Sequence, residues 1–120
     1  MRVLTLGARA GRPVDAHGSR GFDVTGLGIT AEAHLVTVRL RPGGVVGRHP
    51  AAARQLLVVL SGDAVVSGSH GDPVVLEPGQ AAVWEPNELH ETRSETGLVA
   101  LLVEGDVDIA SGERDDPSYA

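Results

Sequence analysis

Metal and acid–base chemistry in this chain falls to imidazoles and carboxylates, because its 120 residues hold five histidines and no cysteine. Disulfides and thiolate metal sites are therefore excluded. Two stretches place histidines among regularly spaced glycines. The first runs Gly43, five residues, His49, Pro50, Ala51, three residues, Gln55, six residues, Gly62. The second runs from Gly79 through Pro86-Asn87-Glu88-Leu89-His90 to Ser94. A further histidine, His34, alternates with Leu35, Thr37, Arg39 and Arg41 and keeps step with Val36, Val38 and Leu40. In a strand that pattern turns His34 inward, as a ligand or as a hydrogen-bonded core or rim histidine.

Trp84, the only tryptophan, precedes His90 by six residues; it seals a core or lines a pocket mouth, with packing the favoured role. Arg48 neighbours His49 and points away from it by strand alternation. Glu85, Glu88 and Glu91 are candidates for a general base, against the plainer reading of solvated loop carboxylates. Several motifs are missing. His90-Glu91-Thr92-Arg93-Ser94 lacks the second histidine of a zinc-protease helix, and Gly26-Leu27-Gly28 lacks the third glycine of a dinucleotide loop. Ser69-His70 has no nucleophile elbow around it, and Asn87 begins no glycosylation site.

The two histidine stretches resemble the two conserved motifs of the cupin superfamily. In the first, glycine, five residues, His-x-His, three or four residues, glutamate, six residues and glycine, the spacing is reproduced in full, with Ala51 for the second histidine and Gln55 for the glutamate. In the second, proline comes one position late, Glu88 stands for glycine and Ser94 for asparagine. The resemblance covers Gly43–Ser94 and implies an all-β fold, a small antiparallel β-barrel or double-stranded β-helix of jelly-roll type. It also implies a pocket inside the barrel near His49, Ala51, Gln55, Trp84 and His90. In the family, imidazoles and one carboxylate converge there on divalent iron, manganese, nickel, copper or zinc. Here the reduced set is His49, Gln55 and His90, with His34 as the candidate helper. Glutamine offers a carbonyl oxygen without charge, so the resemblance implies a degenerate site and leaves a cofactor uncertain.

The elements that would position these residues are short strands. Ala33–Leu40, Gln55–Leu60, Ala64–Val66, Val74–Leu76, Ala81–Trp84 and Leu98–Val103 are apolar runs separated by Gly, Pro, Asp and Ser turns. We divide the chain into an N-terminal edge strand and loop (1–21), the barrel (22–104) and an acidic, partly disordered tail (105–120). Gln55–Leu60 does not alternate, so both of its faces want burial. A homodimer would supply that cover, and so would the chain's own N-terminal segment.

The formal net charge is −6, all ten basic residues are scattered arginines, and only Phe22, Trp84 and Tyr119 could stack on bases. Nucleic acid is therefore not the expected partner. No signal peptide is recognisable and no apolar stretch approaches the ~20 residues of a membrane span, so a cytoplasmic location without membrane contact is the default expectation.

These readings favour a cupin that binds a small organic molecule inside its barrel, metal-free or with a degenerate metal site. The alternative is a metal-dependent dioxygenase, isomerase, decarboxylase or lyase using the reduced ligand set. Metal-free acid–base catalysis by His49 or His90 is weaker, because its usual tyrosine partner is represented only by Tyr119 in the tail. A regulatory role is weaker still, since no DNA-binding domain accompanies the barrel.

Overall fold

Valine- and leucine-rich runs cut by turn residues become strands throughout the computed structural model, which describes residues 1–7 and 11–110. The strands are β1 (Arg2–Thr5), β2 (Arg12–Pro13), β3 (Asp23–Val24), β4 (Ile29–Leu40), β5 (Val45–Pro50) and β6 (Arg54–Gly62). They continue with β7 (Ala64–Ser67), β8 (Val74–Leu76), β9 (Gln80–Trp84), β10 (Leu89–Arg93) and β11 (Leu98–Ile109). One 3-10 turn, Ala16–Gly18, interrupts them. Among the described residues no helix is long and apolar enough to cross a membrane.

Two antiparallel sheets carry the fold. The larger has the order β1-β9-β6-β11-β4 and the smaller β5-β10-β7-β8, while β2 and β3 form a separate ribbon. Between the sheets lies a core that includes Leu57, Val59, Val66, Leu76, Ala82, Trp84 and Leu98. Burial of each large apolar side chain there contributes about 1.5–3 kcal/mol. The all-β antiparallel expectation holds, because alternation in each strand supplies one face to this core.

The outer face of the large sheet carries a second cluster, Leu56, Ala81, Val83, Val103 and Val107. The non-alternating run in β6 thus serves two layers. Leu57 and Val59 turn inward, whereas Leu56 and Val58 turn outward to a furrow that Leu6, Val24 and Leu27 also line. The chain's own N-terminal part supplies some of the cover that β6 requires.

Strand boundaries differ from the sequence reading at several places: β4 begins at Ile29 rather than Ala33, and two further differences bear on the site. The expected barrel limit at residue 104 falls inside β11, which runs on to Ile109 and pairs with β4 along its whole length. Glu104, Asp106 and Asp108 are therefore strand residues; alternating charge does not prevent strand pairing when a neighbour supplies the ladder. The rest of the expected acidic tail, residues 111–120, lies outside the described residues. The other difference concerns β5 and β10, which are too polar to stand out as apolar runs, although strand alternation was expected around His49 and a strand-like stretch from His90. Tertiary pairing with each other defines them.

Candidate functional site

β5 and β10 lie side by side and place His90 directly opposite His49. Directly opposed side chains share a face, and the two ring centroids are 4.4 Å apart. One extra residue in β5 makes a bulge between this pair and the Thr92–Val46 pair. Val46 and His49, three apart, would face opposite ways in a regular strand. The bulge brings both to the same cavity. Within it the Gly47 carbonyl meets His49 Nδ1 at 2.6 Å. The Glu88 carbonyl likewise meets His90 Nδ1 at 3.2 Å. A carbonyl only accepts, so Nδ1 of each ring donates, and in the neutral rings Nε2 keeps the lone pair.

The large sheet contributes a row of four opposed residues. His34 on β4 faces Glu104 on β11, Glu104 faces Gln55 on β6, and Gln55 faces Trp84 on β9. Gln55 is 6% exposed, and its Nε2 donates to Glu104 Oε2 over 2.6 Å. Trp84 stacks at a tilt on His90, centroid to centroid 4.8 Å. Its indole N–H donates to the Ser67 carbonyl on the opposite sheet, so this buried ring both packs and has its polar atom satisfied. Burial, with a smaller contribution from the neighbouring His49, lowers the His90 pKa below its ordinary value and favours a neutral ring.

These groups wall a cavity of about 190 Å³. Its lining comprises His49, Gln55, Trp84, His90, Thr92 and Glu104 together with the aliphatic Val38, Val46, Leu57 and Leu102. A larger cleft of about 760 Å³ near Arg54 and Asp106 is less suited to recognition. Its Arg54 is already tied to Glu85 and the Val107 carbonyl.

Of the sequence candidates, His49, Gln55, Trp84 and His90 come together. Ala51 does not join them: β5 ends at Pro50, so the two-residue step from His49 leaves the strand. Ala51 is buried in the following loop instead, its N–H donating to Glu88 and its carbonyl accepting from Asn87. His34 lies on the right face but at the exposed edge strand, outside the lining. Glu85, Glu88 and Glu91 are also outside it. Glu85 pairs with Arg54, and Glu88 takes the Met1 ammonium at 2.8 Å. Burial raises the Glu88 pKa, but that contact and backbone N–H groups of Glu85 and Ser69 outweigh it and leave the carboxyl below its ordinary value.

Ser94, at the second motif's asparagine position, is a structural clamp. It donates to Asp63 and accepts from the Gly97 N–H, while its backbone pairs with Gly43 and Gly44. Besides Gly79, the residue with a left-handed backbone in that motif is Asn87, φ 67°. Asn87, rather than Glu88, therefore meets the conformational need that glycine usually fills, since asparagine tolerates that region.

The residue that sequence reading missed is Glu104, which looks like the first acid of a tail. Its signal was the period of two: Leu98, Ala100 and Leu102 face inward, and the next step is Glu104. The family's metal needs imidazoles and a carboxylate converging on one point. Ala51 offers no ligand, Gln55 offers a carbonyl oxygen without charge while its Nε2 donates to Glu104, and among the described residues no three His, Asp or Glu side chains group to hold an ion. The residues present do not fit that metal.

Comparison with known proteins gives fold-level likeness. A DMSP lyase crystal structure aligns at a TM-score of 0.57 and 24% identity over 68% of this chain, which spans 46% of that one. An RmlC-like cupin with a double-stranded β-helix fold from Methanocaldococcus jannaschii aligns at 0.54 and 15% identity, covering 59% of this chain and 67% of that one. A predicted oxalate decarboxylase from Thermotoga maritima aligns at 0.52 and 23% identity, covering 63% and 65%. This chain spans about half the length of the DMSP lyase structure, and at these identities the likeness carries the fold alone. No curated protein sequence gives a match. With the family model for the Cupin domain matching residues 36–104, the span that holds both histidine motifs and Glu104, this chain belongs to the cupin family.

Proposed function

We propose that this cupin binds a small organic molecule in the cavity between its sheets and does so without the metal of its relatives. The observation that carries this reading is the cavity itself. Two imidazoles, an amide, a hydroxyl and a carboxylate line an otherwise apolar enclosure, the composition of a ligand pocket. A space of about 190 Å³ suits roughly six to ten non-hydrogen atoms, given that benzene occupies a cavity of about 150 Å³.

Trp84 is the only tryptophan and lines the cavity, so its fluorescence reports occupancy. Compounds of this size that raise the melting temperature should also change Trp84 emission saturably. Stabilising compounds that leave the emission unchanged bind elsewhere and sink the proposal.

The second reading, a metal-dependent cupin enzyme using His49, Gln55 and His90, is favoured by one feature. Both imidazoles have their tautomer set by a carbonyl, as metal-bound histidines commonly do. Elemental analysis of untagged protein separates the two readings. We expect no stoichiometric transition metal; near-stoichiometric metal that disappears in His49→Ala supports the enzyme instead.

A further inference from the structure

Among the described residues Glu104 is the only carboxylate in the cavity lining, and no arginine shares that lining. The chain has no lysine at all. The hydrogen bond that Glu104 makes is to the neutral amide of Gln55, and among the described residues no cation pairs with it. A partly buried carboxylate with no counter-charge beside it attracts a cation and repels an anion. The neighbouring surface is aromatic and aliphatic: Trp84, His90 and His49 in contact, with Leu57 and Leu102. Such walls accept the body of an organic ion and disfavour a hydrated inorganic one.

We infer that the cavity selects a small organic cation, an ammonium group on a compact alkyl or aryl body, through the carboxylate of Glu104. The inference rests on the small-molecule reading above and names the ligand class that reading leaves open. Gln55 is a positioning residue: its N–H holds one carboxylate oxygen and leaves the other to meet the ligand. The family's usual glutamate is absent from position 55, and the negative charge comes instead from the next strand, at position 104.

The test uses three compounds of matched shape: choline, its neutral carbon isostere dimethylbutanol, and the anion dimethylbutanoate. Binding is followed by Trp84 fluorescence in the whole chain and in Glu104→Gln. That variant keeps an oxygen for Gln55, and an unchanged melting temperature checks its fold. The expected result is choline binding about ten- to a hundredfold more tightly than the alcohol, the range of a partly desolvated contact between opposite charges with cation–π support, since a quaternary ammonium has no N–H to donate. In Glu104→Gln the two should come within about twofold while the alcohol's affinity is unaltered. Equal binding of cation and alcohol, or a preference that survives Glu104→Gln, overturns the inference and leaves the small-molecule reading standing. No saturable binding of any of the three to the unmodified chain overturns both.

Discussion

Gln55 and Glu104 sit opposite each other on neighbouring strands, joined by a 2.6 Å hydrogen bond. Restoring the family's residue with Gln55→Glu would set two carboxylates against each other. Like charges at that distance raise the pKa of the pair in the folded state. A raised folded pKa contributes stability below the ordinary carboxylate range and loses it as pH rises. The variant should therefore match the wild type near pH 4 and fall behind it by on the order of 1–3 kcal/mol at neutral pH. Urea midpoints at the two pH values read this directly. Asp63 behaves in the opposite sense. Hydrogen bonds from the Thr96 hydroxyl, then the Thr96 and Glu95 backbone N–H groups, hold its pKa at about 2, below the ordinary 3.8. Its contribution is complete above the ordinary value and lost as pH falls through about 2. Asp63→Asn should be less stable than the wild type at neutral pH, and the gap should close in strong acid; a gap independent of pH removes the carboxylate from the account.

At the scale of elements, the site depends on places where regular strand geometry is broken. The bulge in β5 turns Val46 and His49 to one cavity, and the left-handed Asn87 closes the turn that leads into His90 on β10. Between β6 and β7, Gly62 has φ 83°, and a Cβ there would strike the Gly97 carbonyl. Both the conformation and the space demand glycine. Gly62→Ala should cost about 1–3 kcal/mol, measured as a lowered denaturation midpoint. Gly62 was legible in the sequence as a motif glycine, whereas the left-handed Asn87 was not, because the spacing from Pro86 puts Glu88 in glycine's place. The bulge was not, since it arises from pairing with β10 and leaves no mark in composition. Nor was the clamp made by Ser94, because its partners Asp63, Gly44 and Gly97 are brought to it by three separate turns.

For the whole molecule, two sheets enclose the cavity and the outer face of the larger one remains only partly covered. Leu35 lies on that face opposite Val103 and is 61% exposed. We retain the homodimer as a proposal on this ground. Sedimentation of the chain at micromolar concentration should give twice the monomer mass, and a monomer there would end it. The sequence alone determined the fold class, because alternating Val/Leu runs between Gly, Pro and Asp turns can bury their apolar faces only as paired antiparallel strands. The resemblance of its two motifs to the cupin pattern implied that His49, Gln55 and His90 share one neighbourhood. Only the tertiary structure decided that Ala51 leaves the site and that Glu104 enters it. Which residues share a cavity is set by cross-strand register. Register joins positions as distant as 55 and 104, and no local property of either residue contains it.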